Sequence, residues 1–170
     1  MEKNIKKNLF KNKWNERVAQ ISRVTKVCKG GKKLSFKSVI IIGNENGQVG
    51  VGVGKADDVS MAISKGITDA RKNIITVPIT KNNTIPHLTE GNFGTCHTLI
   101  KPALPGTGVI AGSSIRIVLE LAGVKNIMAK QLGGSNVLNN ARATIIALKN
   151  LKTPKIVAFE RNVSLDKFYS

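Results

Sequence analysis

The residues with the clearest chemical potential form a short basic loop, Lys26–Lys33, in which four lysines surround the adjacent glycines Gly30 and Gly31. Glycine lets a ligand approach the backbone closely, and lysine keeps its charge throughout the neutral pH range. The two residue types together favour contact with the phosphate backbone of a nucleic acid. The alternative is a solvated, charged turn without a ligand, and the loop alone does not decide between them.

Strand-like runs on both sides of this loop predict a β-hairpin with the loop at its tip. Arg17–Val24 mixes apolar and polar positions before the loop, and Leu34–Ile42 is rich in β-branched residues after it. Two such runs joined by a short glycine-containing segment are typical of a hairpin. The Asn-Gly pair within Gly43–Gly47 predicts a second turn.

The next segment, Gln48–Lys55, places valine at every second position and glycine at most of the others. Successive side chains of a strand point to opposite faces, so the valines predict a core face and the glycines a face of bare backbone. A bare face implies that another group approaches closely. That group is either a packed helix or a nucleic-acid backbone, and the sequence leaves both open.

A helix is expected after this strand and completes the first predicted unit. Asp57 and Asp58 are favourable residues for a helix start, and Val77-Pro78 is expected to end it. Residues 14–77 therefore predict the order strand, strand, strand, helix. Apolar or small residues recur at a spacing of three and four, as in an amphipathic helix: Val59, Ala62, Ile63, Gly66, Ile67, Ala70 and Ile74.

A second unit is predicted over 96–153, after a linker, 78–95, that contains two prolines and several Thr and Asn residues. The unit begins with a strand-like run, Cys96–Ile100, and a rigid loop, Pro102–Gly108. The mixed segment 154–170 is expected to form a C-terminal tail.

A helix, a strand and another helix are predicted to follow that loop. Gly123 is a favourable stop for the first helix, Val124–Leu132 reads as the strand, and the last helix begins near Ser135 or Asn136. The predicted fold class is α+β, with two small α/β domains: a strand-strand-strand-helix unit and a strand-helix-strand-helix unit. The apolar faces of the two helices carry Ile115, Val118, Leu119 and Ala122, and Leu138, Ala141, Ile145 and Leu148.

The charge predicts a polyanionic partner. The chain has 170 residues and a net charge of +17, from 27 Lys+Arg against 10 Asp+Glu, which makes nucleic acid the first candidate and an anionic membrane the second. No long basic helix with a bulky apolar face supports the membrane. Residues 1–37 carry a net charge of +10, and the first 13 are predicted to be a basic tail, so the contact is expected toward the N-terminal end.

The cysteine content and the N-terminal sequence indicate where the chain works. Cys28 and Cys96 are too few for a disulfide framework and favour a reducing compartment. No apolar run reaches the about 18–20 residues of a membrane span, and the N-terminus lacks the apolar core of a secretory signal. The chain is therefore expected to act where it is made.

Two glycine-rich segments superficially resemble nucleotide-binding loops. Val49 and Ala56 stand where a Walker loop needs glycine and Ser or Thr. Gly106–Ala111 matches G-x-G-x-x-A, but Pro105 stands immediately before it, where the pattern needs a strand. The acidic residue that the pattern needs at the end of the next strand is also missing. Neither segment therefore predicts a nucleotide site.

Catalytic and metal chemistry find equally little support. His87 and His97 are the only histidines, and Cys96 and His97 point to opposite faces of the predicted strand. No set of four zinc ligands and no nucleophile elbow is present. We therefore expect no catalytic residues, no metal and no cofactor, and the chain is predicted not to be an enzyme.

Several motifs, in order, resemble bacterial-type small-subunit ribosomal protein five over about residues 14–160. The resemblance implies two domains, of which the first is similar to a double-stranded-RNA-binding fold. Val137, Ser113 and Ser38 depart from the family pattern of proline, glycine and a small apolar residue. The motifs are Val24–Phe36, Gly50–Ala56, Lys101–Ala103, Gly106–Gly112, Arg116, Val118–Gly123, Asn136, Asn139 and Arg142–Thr144.

The resemblance implies a structural role in the small ribosomal subunit. It implies binding to small-subunit rRNA near the decoding region and the mRNA entry path, contacts with small-subunit proteins four and eight, support of translational accuracy, and no membrane partner. The implied rRNA-binding residues, with Phe36 anchoring the base of the hairpin, are Arg17, Arg23, Lys26, Lys29, Gly30, Gly31, Lys32, Lys33, Ser35, Phe36, Gly52, Gly54 and Lys55.

The resemblance also implies residues that face protein partners, in two groups. The first group lies toward protein four and the second toward protein eight or rRNA. They are Thr107, Gly108, Gly112 and Arg116, and then Asn136, Asn139 and Arg142. The abundance of Asn, Lys and Ile suggests an AT-rich genome, and the segment near Lys130-Gln131-Leu132 looks plastid-like. The expected location is therefore the ribosome of a plastid stroma or of a bacterial cytoplasm.

Two other functions remain as alternatives. A free double-stranded-RNA-binding regulator would bind any long RNA duplex without joining a ribosomal subunit. A nucleotide-using enzyme has only the Gly106–Ala111 motif in its favour. The second predicted domain favours the ribosomal role over the regulator.

Overall fold

Two four-stranded sheets with their helices make up the described part of the chain. The structure, a computed structural model, describes residues 14–164. The predicted basic tail, 1–13, and the last six residues, 165–170, lie outside the described residues. The first sheet contains β1 (Asn15–Cys28), β2 (Gly31–Gly43), β3 (Gln48–Ala56) and β4 (Ile74–Thr76), with helix α1 (Val59–Lys72) against it.

The second sheet follows in sequence and has mixed strand directions. It contains β5 (Thr89–Phe93), β6 (Cys96–Pro102), β7 (Val109–Ile110) and β8 (Ile127–Gly133), in the spatial order β5-β6-β8-β7. Three helices accompany it: α2 (Ser113–Ala122), α3 (Val137–Lys149) and α4 (Pro154–Glu160). The β7 and β8 strands are parallel, because α2 forms the crossover between them.

The predicted hairpin is confirmed, and its strands run further into the basic loop than the sequence indicated. The β1 and β2 strands pair antiparallel from Asn15 opposite Gly43 to Cys28 opposite Gly31. Only Lys29 and Gly30 remain as turn residues, and Gly30 has φ 93°, a conformation that glycine adopts without a steric penalty.

Helix α1 covers the glycine face of β3. A Cβ atom on Gly50 would lie 2.5 Å from the Ala70 carbonyl oxygen, and one on Gly52 or Gly54 would overlap the backbone of α1 directly. The valine face points the other way, and Val49 is fully buried. Of the two alternatives for the bare face, the packed helix is the correct one.

Specific hydrogen bonds fix α1 on the sheet. The hydroxyl of Ser38, fully buried, donates to the Ala62 carbonyl oxygen at 2.8 Å. Asp69 accepts the Val53 amide at 2.9 Å. Asp58 occupies the position before the first turn, as predicted, but its side chain makes no capping hydrogen bond.

The predicted strand-helix-strand-helix order of the second unit is confirmed in β6, α2, β8 and α3. Gly123 ends α2 with φ 91°, as predicted. The structure contains four short elements that the sequence pattern did not predict. They are β4, β5 inside the predicted linker, β7, and α4 inside the predicted C-terminal tail. The predicted end of the first helix at Val77 was wrong, because α1 ends at Lys72 and Ile74 pairs with β3 in β4.

The two sheets share one hydrophobic core. Ile41 and Val49 of the first sheet belong to the same buried cluster as Ile115 and Val118 of α2. The turn after β2 closes this junction, because its backbone amides reach the carbonyl groups that α2 leaves unpaired at its C-terminus. The amide of Glu45 donates to Leu121 O at 3.0 Å, and that of Gly47 donates to Ala122 O at 2.8 Å. No helix within residues 14–164 has the length and hydropathy that a membrane crossing needs.

Candidate nucleic-acid interface

The outer half of the hairpin projects as a two-stranded arm. The β2 strand pairs with β3 only from Phe36 onward, whereas it pairs with β1 out to Gly31. The arm, defined here as residues 24–35, therefore extends beyond the sheet by roughly 15 Å, given the rise per residue of a strand. Its length comes from the unequal lengths of β2 and β3.

The tip of the arm is basic and open. Gly30 and Gly31 have no protein atom within 4 Å of where a Cβ atom would stand. Every residue from Lys26 to Leu34 is exposed. The backbone at the tip is therefore free to meet a ligand, and four lysines surround it: Lys26, Lys29, Lys32 and Lys33.

The strand register divides these lysines between two faces. Lys26 lies directly opposite Lys33, whereas Val27 lies opposite Lys32 on the other face. Like charges opposite each other destabilise strand pairing. An anion bound against that face would therefore reduce the repulsion between Lys26 and Lys33. The sequence pattern predicted neither this division nor the 73% exposure of Val27.

At the base of the arm, predicted rRNA-binding residues contact other parts of the protein. The Ser35 hydroxyl is buried and donates to Asp57 at 3.2 Å. Lys33 Nζ lies 3.8 Å from the same carboxylate, and both side chains are about two-thirds exposed, so this pair contributes little. Phe36 is half-buried where β1, β2 and β3 meet, and it lies opposite the exposed Arg23.

Two predicted rRNA-binding positions need correction. Gly52 and Gly54 are buried beneath α1, whose backbone occupies the space that a nucleic acid would need. Their role is to let the helix approach the sheet. Lys55, the next residue of the same strand, is exposed near the base of the arm.

Arg17 lies at the junction of the two sheets, away from the arm tip. Its guanidinium donates to Glu120 at 2.5 Å, and Arg116 donates to the other carboxylate oxygen at 2.8 Å. The hydrogen bond from Arg116 is the main cause that holds the pKa of Glu120 below its ordinary value, and Arg17 adds to it against the opposing effect of burial. The two arginines were predicted to face different partners, and the Glu120 carboxylate that joins them was not predicted.

The first predicted protein-partner group surrounds an exposed loop before α2. Thr107 donates through its hydroxyl to Leu104 O at 2.8 Å, and Gly112 precedes the first turn of α2. Asn126 organises the loop, because its side-chain oxygen accepts from the amides of Gly106 and Gly108 at 3.0 and 3.4 Å. This buried asparagine was not predicted, because its only signal in the sequence is an isolated polar residue before an apolar strand.

The second predicted protein-partner group begins α3. Asn136 caps the helix by accepting from the amides of Leu138 and Asn139 at 3.0 and 3.3 Å. Arg142 lies two turns along, with its guanidinium carbon 5.2 Å from the centre of the Phe93 ring. The predicted partner residues therefore lie on two elements, and Asn136 also has a structural task.

The described residues contain no cluster of three or more His, Cys, Asp or Glu side chains that could hold a metal ion. Cys28 is an exposed free thiol in the arm, and Cys96 is a buried one. The Gly106–Ala111 segment contains the short strand β7, and β6 already ends at Pro102, whereas the glycine loop of a dinucleotide fold directly joins a strand to a helix.

Two family models match the chain. Residues 14–78 match "Ribosomal protein S5, N-terminal domain", and residues 91–161 match "Ribosomal protein S5, C-terminal domain". These matches confirm the resemblance predicted from the motifs.

Curated relatives are similar over nearly the whole chain. The small ribosomal subunit protein uS5 of Prochlorococcus marinus (strain AS9601) is 59% identical over 92% of this chain and 76% of its own length. That of Thermosynechococcus vestitus is 60% identical over 92% and 90%. The small ribosomal subunit protein uS5c of Guillardia theta is 61% identical over 89% and 90%.

Proposed function

The chain belongs to the ribosomal protein S5 family, and on this premise we propose that its hairpin arm binds small-subunit rRNA near the decoding region and the mRNA entry path. Membership makes the chain a structural, non-enzymatic protein of the small ribosomal subunit, with rRNA and other ribosomal proteins as partners. The observation that carries the finer proposal is the open, basic tip of the arm, where the space beside Gly30 and Gly31 that a Cβ atom would take is unoccupied.

The chemistry of the arm suits an RNA backbone. Its lysines would neutralise phosphates and release counterions, which makes binding strongly dependent on salt. RNA helices are recognised by shape, phosphates and 2′-hydroxyl groups, so a site that reads them needs reach and charge more than base-specific donors. The chain has only 4% aromatic residues, which does not favour a platform for stacking single strands.

The neighbours in the proposal are small-subunit proteins four and eight. Thr107, Gly108, Gly112 and the exposed Arg116 would face protein four, in a contact that supports decoding accuracy. Asn136, Asn139 and Arg142 would face protein eight or rRNA. The exposure of the loop and of Arg142 supports these assignments. For the domain division we retain 14–77 and 96–153 as the two units and add β5 to the second, because all of β5 pairs with β6.

The proposed location is the ribosome of a plastid or a bacterium. The relatives support both sources, since they include cyanobacterial proteins and a plastid-type uS5c. The plastid-like segment near Lys130-Gln131-Leu132 favours the plastid, and the Asn-, Lys- and Ile-rich composition agrees with an AT-rich genome.

Sedimentation of a cell or organelle lysate through a sucrose gradient tests the ribosomal role. We expect the chain to migrate with the small subunit in a one-to-one ratio at low salt and at high salt. Recovery only at the top of the gradient would contradict the proposal and would favour the free RNA-binding regulator. Cross-linking within the isolated subunit then tests the arm, which should join to rRNA through Lys29 or Lys32.

A further inference from the structure

A second basic surface lies far along the fold from the arm. Where α3 lies along the β4 edge of the first sheet, a groove encloses about 470 Å³. Its lining includes three exposed cations, Lys72, Arg142 and Lys149, and no carboxylate. Among the described residues, none of the three forms a salt bridge, whereas Arg17, Arg71 and Arg116 all do.

Arg142 makes a cation–π contact at this groove. Its guanidinium carbon lies over the half-buried ring of Phe93, 5.2 Å from the ring centre. The ring attracts the cation on one side, and the N–H donors of the guanidinium can still meet another group. A planar fork of this kind matches the oxygens of a phosphate.

The helix termini account for only part of the charge. Lys72 and Lys149 lie in the last turns of α1 and α3, where the partial charge of roughly −0.5 per helix attracts a cation. Two such termini offset about one of the three positive charges. The groove therefore keeps a net charge of about +2, which an anion would neutralise.

We propose that this groove binds the phosphate backbone of RNA, as a second contact that is separate from the arm. The inference rests on the proposed rRNA-binding function and adds a site to it. The walls favour RNA over an acidic peptide, because Ile74, Ile145 and Ile146 lie beside the cations and offer apolar surface to sugar rings between successive phosphates. A carboxylate-rich peptide would place flexible side chains, and not a regularly spaced backbone, against the three charges.

Two double variants of the full chain test the groove. Lys72→Gln with Lys149→Gln removes two groove charges, and Lys65→Gln with Lys81→Gln removes two exposed charges outside the groove and the arm. The affinity for a small-subunit rRNA fragment is measured from low to high salt. We expect the slope of log K against log salt to flatten by about two for the groove variant, with a change near zero for the control.

Lysine acetylation supplies a local readout. With bound RNA, Lys72 and Lys149 should be protected from an amine-acetylating reagent, while Lys65 and Lys81 should still react. Equal slopes for the two double variants, or unprotected groove lysines in an RNA complex, would overturn the inference but leave the arm proposal intact. Protection by poly-glutamate and not by RNA would also overturn it and assign the groove to an acidic protein. A chain that binds no RNA at all would instead contradict the proposed function.

Discussion

Glycines occur in two adjacent regions of the first domain with opposite consequences. At the tip of the arm, Gly30 and Gly31 face open space, whereas Gly52 and Gly54 of β3 are covered by the backbone of α1. Both regions show bare backbone beside lysine in the sequence. The space beside the glycines of β3 is filled by a helix, and the space beside the tip glycines is open. Glycine in a sequence therefore permits a close approach without indicating what approaches.

Replacing one glycine from each region should break the fold in one case only. A Cβ atom in Gly52→Ala would overlap Ala70 and Gly66 of α1, while Gly31→Ala meets nothing within 4 Å. Overpacking of this kind costs 1–3 kcal/mol or more, and here the obstacle is a helix backbone. We expect Gly52→Ala to lose at least about 3 kcal/mol of unfolding free energy or to fail to fold.

Urea unfolding followed by circular dichroism measures both variants. Gly31→Ala should remain within about 0.5 kcal/mol of the parent chain. Equal stability of Gly52→Ala and the parent would show that α1 does not lie on β3 as described. A large loss in Gly31→Ala would show that the tip is not open.

Replacing the charges of the arm should change RNA binding and leave the folding stability almost unchanged. Replacing Lys29, Lys32 and Lys33 together with Ala should weaken rRNA binding and flatten its salt slope by up to about three, because each lysine releases about one counterion. The folding stability should hardly change, since these side chains are exposed. Filter binding across a salt series measures the slope.

The matched control replaces three exposed lysines elsewhere: Lys65, Lys81 and Lys130. This variant has the same net charge, so a difference between the two triple variants isolates the position of the charge from its amount. If the control flattens the slope as much as the arm variant, the arm has no special contact with phosphate.

At the junction of the two sheets, the expected loss of stability lies between that of a buried glycine and that of an exposed lysine. Glu120 joins Arg17 and Arg116, and its pKa is held below the ordinary value of 4.5, first by the hydrogen bond from Arg116. A lowered pKa in the folded state contributes stability above the unfolded pKa, and that stability is lost as the pH falls through the folded pKa. We expect Glu120→Gln to cost roughly 1–2 kcal/mol at pH 7.

Unfolding free energies of the parent and of Glu120→Gln are compared from pH 7 downward. The difference should be constant at neutral pH and should shrink as the pH falls below about 4.5. A difference that does not depend on pH would mean that Glu120 acts through packing and not through its charge. Exposed pairs such as Lys33 and Asp57 should show a much smaller effect.

Local patterns predicted the elements that bury a regular face. The β3 strand alternates with a period of two, the apolar residues of α1, α2 and α3 recur every three to four residues, and the hairpin has two strand-like runs around a glycine-containing loop. The short strands β4 and β7, with three and two residues, are too short to show a period. They form because a neighbouring strand supplies their hydrogen bonds, and this information lies elsewhere in the chain.

The candidate site was predictable where the signal is local and missed where it is distant. The tip lysines lie within eight residues of each other, so their cluster is visible in the sequence. Arg17 and Glu120 are separated by 103 positions, and nothing local marks them as partners. The groove likewise combines the end of α1, the middle of α3 and Phe93 of β5, so it appears only in the folded chain.

The smallest predicted effect concerns two residues that hold the same position before a helix but differ in their hydrogen bonds. Asp58 and Asn136 both occupy the position before a helix, but only Asn136 accepts backbone hydrogen bonds, from Leu138 and Asn139. A side chain that caps a helix contributes about 1 kcal/mol. We expect Asn136→Ala to destabilise the chain by about 0.5–1 kcal/mol more than Asp58→Ala, in urea unfolding at pH 7. If Asp58→Ala were the more destabilising variant, the charge of Asp58 near the N-terminus of α1 would contribute more stability than the cap formed by Asn136. Residue type would then predict stability better than the observed hydrogen bonds do.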